Sequence, residues 1–334
     1  MPEAPPATGA GNALEQAAAE AGNALERAAT EGGNALERAA AAFVELRPRL
    51  FGIAYRMLGS AAEAEDIVQE VWLRWQAADR PSVENPPAFL ALVTTRLALN
   101  AAQSARARRE SYVGPWLPEP VDTSADPALG AERGEALELG LLLLLERLTP
   151  TERAAYVLRQ AFDYPYGQIA DILQLSPANA RQLVSRARKH LTAGRRERID
   201  KNQHRRLLAV FLAAARRGDV AALEDLFAAD VVSVSDGNGM PGSARFPLLG
   251  VTRVARFLAA FASRYWRDAN VTWVEANGLA GLLVPGGRDG VALLAVDASP
   301  AGIHHLMWVV NPGKLTAFAR HRPDRSAEPE GGGS

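Results

Sequence analysis

The sequence predicts a multidomain protein, in which two all-α units precede an α+β domain with a curved antiparallel sheet packed on helices. Apolar residues recur at helical spacing through residues 43–112 and 136–195. Short β-branched segments separated by glycines dominate residues 231–310. Helices followed by a run of strands are typical of an α+β domain. A length of 334 residues accommodates all three units.

Composition excludes several classes of protein. The chain has 48% hydrophobic and 22% charged residues and a net charge of −1, as in an ordinary globular protein. It has no cysteine, which excludes disulfides, thiol catalysis and cysteine-based zinc sites. No stretch resembles a signal peptide, and the leucine run 141–145 is too short to cross a bilayer. We therefore expect a cytoplasmic protein with no membrane contact, metal or cofactor.

Residues 1–42 form an Ala/Glu-rich extension that contains a repeat of 11 residues, with copies starting at Gly11, Gly22 and Gly33. Each glycine penalises a continuous helix by about 1 kcal/mol. The repeats carry too few large apolar residues for a packed seam, so we expect disorder rather than a partner-binding helix. We expect the same of the tail at 323–334.

Three helices are expected in the unit 43–112. An apolar stripe from Val44 to Leu58 ends at Gly59, and a second helix follows over 62–77. A proline-rich loop then leads to a long helix over 88–109. The second helix has an acidic face, for which solvation and a binding role are both open from spacing alone.

A linker is predicted over 113–135, because its residues are polar and rich in turn formers. It contains the sequence WLPEP at 116–120. Large apolar groups such as Trp116 and Leu117 rarely remain exposed in a free linker. The WLPEP segment is therefore predicted to dock against another part of the chain.

The unit 136–195 contains a predicted helix-turn-helix. Thr149 is a suitable N-cap with Glu152 at the capping-box position, and Ser176 starts the last helix in a similar way. That helix has an apolar back and a small, amide-bearing, cationic front, which suits a DNA major groove. Residues 177–206 contain ten Lys/Arg and two acidic residues, a charge that a phosphate backbone would attract.

The last domain is predicted over 204–322, after a basic connector that reaches Arg206. Its expected helices are 207–217, 220–229 and 251–265, and its expected strands are 231–235, 271–276, 281–284, 291–296 and 303–310.

Two long segments resemble bacterial sigma factors. LFGIAYRMLGSAAEAEDIVQEVWLRW at 50–75, with NPPAFLALVTTRLALNAAQSARARRE at 85–110, resembles sigma region 2 of the extracytoplasmic-function (ECF) type. LTPTERAAYVLRQAFDYPYGQIADIL with SPANARQLVSRARKHL resembles sigma region 4. WLPEP together with NPGKL at 311–315 looks like the ECF subgroup with a fused C-terminal SnoaL-like domain.

The resemblance implies an RNA polymerase sigma factor whose partners are core RNA polymerase and double-stranded and melted promoter DNA. It implies polymerase-binding residues in the second helix: Asp66, Gln69, Glu70 and Arg74. The loop 79–87 would capture an unstacked base of the −10 element, with Ser82, Val83 and Asn85 as the candidates. Phosphate contacts near the melted region are implied for Arg106, Arg108 and Arg109.

Promoter −35 recognition is implied for the last helix of region 4. Gln182, Ser185 and Arg186 would lie nearest the base edges in the major groove. Phosphate contacts, which position a protein without reading sequence, are expected from Arg181, Arg188 and Lys189.

The SnoaL-like domain departs from its subgroup, whose members carry DGGG followed by a basic residue, and NPDKL. This chain reads DGNGM at 236–240 and NPGKL at 311–315. The resemblance implies that the domain docks on the two sigma regions and adjusts activity in place of a separate anti-sigma factor. The docking residues implied are Trp116, Leu117, Pro118, Glu119, Pro120, Asp236, Asn311, Pro312 and Lys314.

Two other classes of function remain open. The C-terminal domain is alternatively a ligand-sensing or catalytic module, such as an isomerase or cyclase, with Asp236, His304 or His305 as general base. The two histidines are adjacent on a predicted strand and face opposite sides, which argues against a metal pair. A simple helix-turn-helix repressor does not explain the second helical unit at 43–112. We favour the sigma factor and no enzyme.

Overall fold

The computed structural model describes residues 37–124, 138–192, 196–240, 243–262, 266, 269–285 and 290–321. The predicted repeats up to residue 36, the second half of the predicted linker and the predicted tail at 323–334 lie outside the described residues.

The first helical unit consists of α1 over 37–58, α2 over Ala61–Ala77 and α3 over Pro86–Glu110. Gly59 ends α1 with a φ of 66°, a conformation that glycine adopts without steric cost. The Ser60 hydroxyl then caps α2 by accepting the Glu63 amide at 3.2 Å. One short 3-10 turn, Arg80–Ser82, lies between α2 and α3.

The boundary predicted at residue 42 differs from the structure, since α1 already includes residues 37–42. Ala39 is buried, and its carbonyl accepts the Trp75 indole N–H at 3.0 Å. The part of the third repeat that lies in α1 is therefore held by a contact with α2, distant in sequence, which a repeat pattern does not reveal.

The second helical unit contains α4 over Leu139–Leu145, α5 over Pro150–Ala161, α6 over Tyr166–Leu173 and α7 over Pro177–Thr192. Thr149 and Glu152 form the predicted capping box at the start of α5. Gln174 ends α6 in the left-handed region, which makes the turn into α7 tight. Helices α5, α6 and α7 pack around Ala154, Ile169 and Val184 as a helix-turn-helix.

The C-terminal domain has three helices, α8 over Lys201–Arg217, α9 over Val220–Leu226 and α10 over Val251–Ala260. Its strands are β1 over Phe227–Asp236, β2 over Leu248–Leu249, β3 over Thr272–Ala276, β4 over Leu279–Pro285, β5 over Val291–Ser299 and β6 over Gly302–Val309. They form one sheet in the order β2-β1-β6-β5-β4-β3.

The sheet is mainly antiparallel, as predicted, but it contains one parallel pair that was not predicted. Strands β1 and β6 are parallel, with Ser233 opposite Leu306, whereas the other pairs are antiparallel. Alternating apolar residues predict a strand but not the direction of its neighbour. Only tight hairpins fix direction locally, and β1 and β6 are joined through the rest of the domain.

Several predicted boundaries also shift. Helix α8 starts at Lys201, inside the predicted basic connector, because Asp200 and Gln203 form a capping box. Strand β1 starts at Phe227, where the second helix was expected to continue to residue 229. Helix α10 ends at Ala260, short of the predicted 265, and the two-residue strand β2 was not predicted.

The two faces of the sheet pack against different parts of the chain. One face, with Leu282, Leu294 and Leu306, packs on α8, α9 and α10. The opposite face, with Leu293 and Met307, belongs to a continuous apolar core that includes α1, α2, the linker and α4. The fold therefore joins the C-terminal domain to both helical units through buried surface.

Candidate functional site

The exposed face of α7 carries all the side chains predicted to contact the −35 element: Arg181, Gln182, Ser185, Arg186, Arg188 and Lys189. The opposite face, including Ala180 and Leu191, is buried. The Arg181 guanidinium lies 5.2 Å from the ring centre of Tyr166. Helix α7 thus presents a cationic and amide-bearing surface to the outside.

The polar face of α2 contains the predicted polymerase-binding residues. Asp66, Gln69 and Arg74 are exposed and Glu70 is partly exposed, and the Arg74 Nε lies 2.8 Å from the Glu70 carboxylate. Leu73 lies on the same face and is 57% exposed. Leu73 was not among the predicted residues, although its position seven residues after Asp66 places it on that face.

The loop between α2 and α3 contains Ser82, Val83 and Asn85. The Ser82 hydroxyl donates to the Asp79 carbonyl at 2.6 Å, and the Asn85 carboxamide oxygen accepts the Ala88 amide at 3.1 Å. Val83 is partly buried against the apolar core. Two of the three candidates for base capture therefore also stabilise the loop and the start of α3.

The C-terminal end of α3 carries the predicted phosphate contacts Arg106, Arg108 and Arg109. The side chains of Arg106 and Arg108 lie outside the described residues. Arg109 points into the molecule: it bonds to the Leu58 carbonyl, pairs with Glu146 and lies 3.6 Å from the ring centre of Trp116. In this arrangement Arg109 connects the two helical units and the linker instead of presenting its charge to a phosphate.

Asp236 is the centre of a buried polar site at the end of β1, and its exposed fraction is 0%. Its carboxylate accepts the Tyr112 hydroxyl at 2.5 Å, the Leu117 amide at 2.8 Å and the Lys314 ammonium at 2.7 Å. Lys314 also donates to the Leu117 carbonyl at 2.5 Å. Asp236 and Lys314 together bind both backbone groups of one linker residue.

The backbone explains why Asp236 and Lys314 meet. The Asp236 carbonyl accepts the amides of Val310 and Asn311 at 2.8 and 3.0 Å, which continues the parallel β1–β6 pairing. Asn311 caps the short 3-10 turn Pro312–Lys314, and its carboxamide donates to the Tyr112 hydroxyl at 3.1 Å. Pro312 starts that turn and is exposed.

Burial shifts the pKa values of the two titratable partners of Asp236, Lys314 and Tyr112, in opposite directions. It lowers the pKa of Lys314 below its usual value, against the opposing effect of the Asp236 charge. Burial and the hydrogen bond to Asp236 raise the pKa of Tyr112 well above its usual range. The Tyr112 hydroxyl is therefore a permanent donor at neutral pH.

The WLPEP segment lies between the domains. The Trp116 ring packs against the Arg109 guanidinium and the Lys314 ammonium, whose nitrogen lies 4.3 Å from the ring centre. Leu117, Pro118 and Pro120 are buried. The Glu119 carboxylate accepts the Ala61 amide at 2.9 Å, so the linker supplies an acid at the N-terminus of α2.

A second attachment, which was not predicted, involves the β3–β4 turn at Asn277. The Asn277 amide donates to the Val121 carbonyl at 2.9 Å, and its side-chain oxygen accepts the Val121 amide at 2.9 Å. Its carboxamide nitrogen donates to the Tyr55 hydroxyl at 2.8 Å. The Asn-Gly pair signals a hairpin turn, but the sequence contains no signal that this turn contacts α1 and the linker.

A third attachment lies beyond α7. The Arg196 guanidinium reaches Asp230 at 2.6 Å and Asp297 at 3.3 Å. His304 contacts Asp230 at 2.5 Å, and His305 contacts Asp297 at 3.0 Å. The two histidines thus interact with separate carboxylates that one arginine joins.

The carboxylates of this third attachment are held ionised. For Asp230, burial acts to raise the pKa but is outweighed by hydrogen bonds and charge from Arg196 and His304, which lower it to about 2. The pKa of Asp297 is likewise lowered by His305 and Arg196 against the effect of burial. Within the described residues, no cluster of three or more potential metal ligands occurs.

Ser299, His304 and Asp230 form a hydrogen-bonded chain, with 2.7 Å between the Ser299 hydroxyl and the His304 Nε2. Ser299 and His304 are buried, whereas the side chain of Asp230 is 56% exposed. A serine nucleophile must reach its substrate, with the carboxylate behind the histidine. Here the serine and the histidine are buried and the carboxylate is exposed. These three hydrogen-bonded side chains are therefore suited to packing and not to acyl transfer.

The two helical units also contact each other directly. The Arg153 Nε donates to the Arg56 carbonyl at 2.6 Å, and the Arg96 Nε donates to the Ile172 carbonyl at 3.1 Å. The Arg49 guanidinium donates to the Phe162 carbonyl at 3.0 Å. These bonds surround a shared apolar cluster from α1, α3, α5, α6 and α7.

Family models match both helical units. Residues 42–108 match Sigma-70 region 2, and residues 139–191 match Sigma-70, region 4. Together with the helix-turn-helix, these matches define the protein as a sigma factor with regions 2 and 4 and an additional C-terminal domain. Within the described residues, no helix combines the length and apolarity needed to cross a membrane.

Relatives define the family more narrowly. The ECF RNA polymerase sigma factor SigJ of Mycobacterium tuberculosis is 36% identical over 307 residues, which cover 87% of this chain and 97% of the relative. The chain therefore belongs to the ECF family of RNA polymerase sigma factors, which act in promoter recognition and transcription initiation. The probable ECF sigma factor SigI of the same species is 35% identical over 188 residues, or 55% of this chain and 65% of the relative.

A solved structure extends the likeness to the C-terminal domain. The crystal structure of M. tuberculosis SigJ superimposes with a TM-score of 0.69 at 33% identity and covers 83% of this chain and 98% of that chain. Helical regions 2 and 4 followed by a mixed sheet with helices are thus shared with this relative.

Proposed function

We propose that the C-terminal domain regulates this ECF sigma factor in cis, by holding regions 2 and 4 in a closed arrangement, in place of a separate anti-sigma factor. The observation that carries the proposal is the fully buried Asp236 carboxylate, which binds the linker through Leu117 and the C-terminal turn through Lys314. Breaking such a buried pair is costly, so the linker is firmly held.

The direct contact between regions 2 and 4 supports an inhibitory effect. The −10 and −35 elements are separated by about 25 base pairs, or about 85 Å at a rise of about 3.4 Å per pair. Region 2 and region 4 pack against each other through Arg153, Arg96 and Arg49. A sigma factor must separate the two regions to grip both elements, which requires the linker to leave the C-terminal domain.

The contacts with DNA and polymerase are proposed for the residues on the faces described above. Gln182, Ser185 and Arg186 read the −35 bases, and the flanking residues Arg181, Arg188 and Lys189 contact phosphates. The α2 face formed by Asp66, Gln69, Glu70 and Arg74 binds core RNA polymerase. Ser82, Val83 and Asn85 approach the melted −10 strand, with Arg106, Arg108 and Arg109 near its phosphates once the closed arrangement opens. We propose that these contacts with DNA and polymerase form in the cytoplasm.

The C-terminal domain is proposed to act by docking and not by catalysis. Asp236 is fully used by three donors, and the Ser299 hydroxyl is buried. Neither group is positioned as a free base or nucleophile. Turnover of a small molecule that disappears in D236N, with folding retained, would contradict this part of the proposal.

Run-off transcription with core RNA polymerase tests the regulation. The full chain is compared with D236N and with a chain that ends after residue 200. We expect more transcript per bound sigma factor from both variants than from the full chain. Equal output from all three, at equal polymerase occupancy, would refute regulation in cis, and a lower output would show that the domain activates.

A further inference from the structure

A cavity of about 330 Å³ lies between the helices of region 2 and those of region 4. Its apolar wall comes from α1, α3 and the start of α5. Its charged lining residues are Arg109, Glu146 and Arg153. Glu146 and Arg153 belong to none of the surfaces proposed for promoter DNA or polymerase, and Arg109 is proposed to approach the −10 phosphates only after the closed arrangement opens.

Arg153 lines this cavity and also has a buried hydrogen-bond donor without a partner. The residue is only 4% exposed. Its Nε donates to the Arg56 carbonyl at 2.6 Å, and its Nη1 lies 2.5 Å from the Glu146 carboxylate. Among the described residues, its Nη2 has no hydrogen-bond partner. A buried charged donor without an acceptor is costly and indicates a position for an additional acceptor.

The charges around the cavity favour a negatively charged hydrogen-bond acceptor. Arg109 and Arg153 both pair with the single carboxylate of Glu146, so the lining carries a net positive charge. A guanidinium presents its donors in a planar fork that matches phosphate and carboxylate oxygens. Helix α5 also begins at this wall with Pro150, and its N-terminal dipole favours negative charge.

We infer that this cavity binds a small oxyanion, the phosphate or carboxylate group of a small molecule, between regions 2 and 4. The volume lies within the range of small-molecule sites, and the burial of Arg153 excludes a DNA duplex. The anion pairs with the guanidinium of Arg153 and shares the positive charge of Arg109. Because its ligands come from both regions, binding stabilises their closed arrangement. The effect on transcription rests on the proposed function, whereas binding does not.

Calorimetric titration of the full chain with inorganic phosphate, pyrophosphate and citrate, at constant ionic strength, tests the inference. We expect saturable binding of at least one anion. R153K keeps the charge but replaces the planar guanidinium fork by a single ammonium group, and we expect it to weaken binding about tenfold. E146Q removes the competing carboxylate, and we expect it to tighten binding several-fold. R253K, on the exposed face of α10, is the matched control and leaves the affinity unchanged.

The outcomes separate the sources of the anion and the two proposals. Preference for phosphate or pyrophosphate identifies a phosphorylated ligand, and preference for citrate a carboxylate. Absence of saturable binding, or equal weakening by R153K and R253K, would overturn the site. If R153K does not fold, an unchanged affinity in E146Q overturns it instead. If the anion binds but does not change run-off transcription, the binding site is confirmed and its regulatory role is refuted.

Discussion

Asp236 accepts the backbone amide of Leu117 at 2.8 Å, although 119 positions separate the two residues. The same carboxylate pairs with Lys314, so one buried side chain joins the end of β1, the linker and the C-terminal turn. An aspartate that precedes a glycine is common in turns, and its role here follows from what the fold places around it.

The first prediction concerns D236N. Asparagine has nearly the same shape but leaves Lys314 buried without its counter-ion. Removing one partner of a buried pair typically costs about 3–5 kcal/mol, and we expect a loss of this size in the free energy of unfolding. Urea denaturation provides the measurement. D225N, at an exposed position on α9, is the matched control. A loss below about 1 kcal/mol would mean that the pair contributes little.

The second prediction concerns Asn277. N277A removes the side-chain hydrogen bonds to the Val121 amide and the Tyr55 hydroxyl and also strains the turn, where φ is 54°. N277G removes the same hydrogen bonds but accepts that φ without strain. We expect both variants to speed hydrogen exchange of the Val121 amide, with about 1–3 kcal/mol less protection. Faster exchange in N277A alone would assign the effect to the turn and not to the side chain.

The third prediction concerns pH and Arg196. The folded pKa of Asp230, about 2, lies below the unfolded value of 3.8. The carboxylate therefore stabilises the fold above about pH 4, and this contribution is lost as the pH falls through about 2. We expect R196Q to raise the pKa of Asp230 in a carboxyl NMR titration. R181Q, on the exposed face of α7, should leave the Asp230 pKa unchanged. An unshifted Asp230 in R196Q would remove Arg196 as the cause.

The fourth prediction separates base reading from phosphate contact on α7. With the holoenzyme, Q182A should relax preference at one −35 position, at a cost of about 1–3 kcal/mol against the preferred base. K189A should weaken all promoters alike and reduce the salt dependence of binding. Competition between promoter variants at two salt concentrations measures both effects. The assignment fails if the two variants behave alike.

The fifth prediction concerns Leu73, which is 57% exposed within the polar face of α2. If this face binds polymerase, Leu73 is buried in the complex and L73A should weaken binding by about 1–2 kcal/mol. Titration of labelled sigma factor with core polymerase measures the affinity. L249A, at an exposed position in the C-terminal domain, is the control. Equal affinities for L73A and the wild type would place the contact elsewhere.

Local patterns predicted much of the helical part. Thr149 and Glu152 cap α5 as expected, and α7 buries the predicted apolar side. Such features depend on residues a few positions apart, which one sequence displays directly. Strand positions were also close, but the parallel β1–β6 pair was not predicted, because pairing direction is a long-range property.

The sequence by itself determined the family, the two helical units and the cationic face of α7, because capping and amphipathic spacing are local. Only the tertiary structure decided that Arg109 points inward to Glu146 and Trp116, that Asn277 reaches Tyr55, and that Arg153 lies buried beside a cavity. These contacts join residues distant in the chain. The free energy that stabilises them comes from burying surface shared by separate domains, which is set by the packing of the whole chain and not by any single segment.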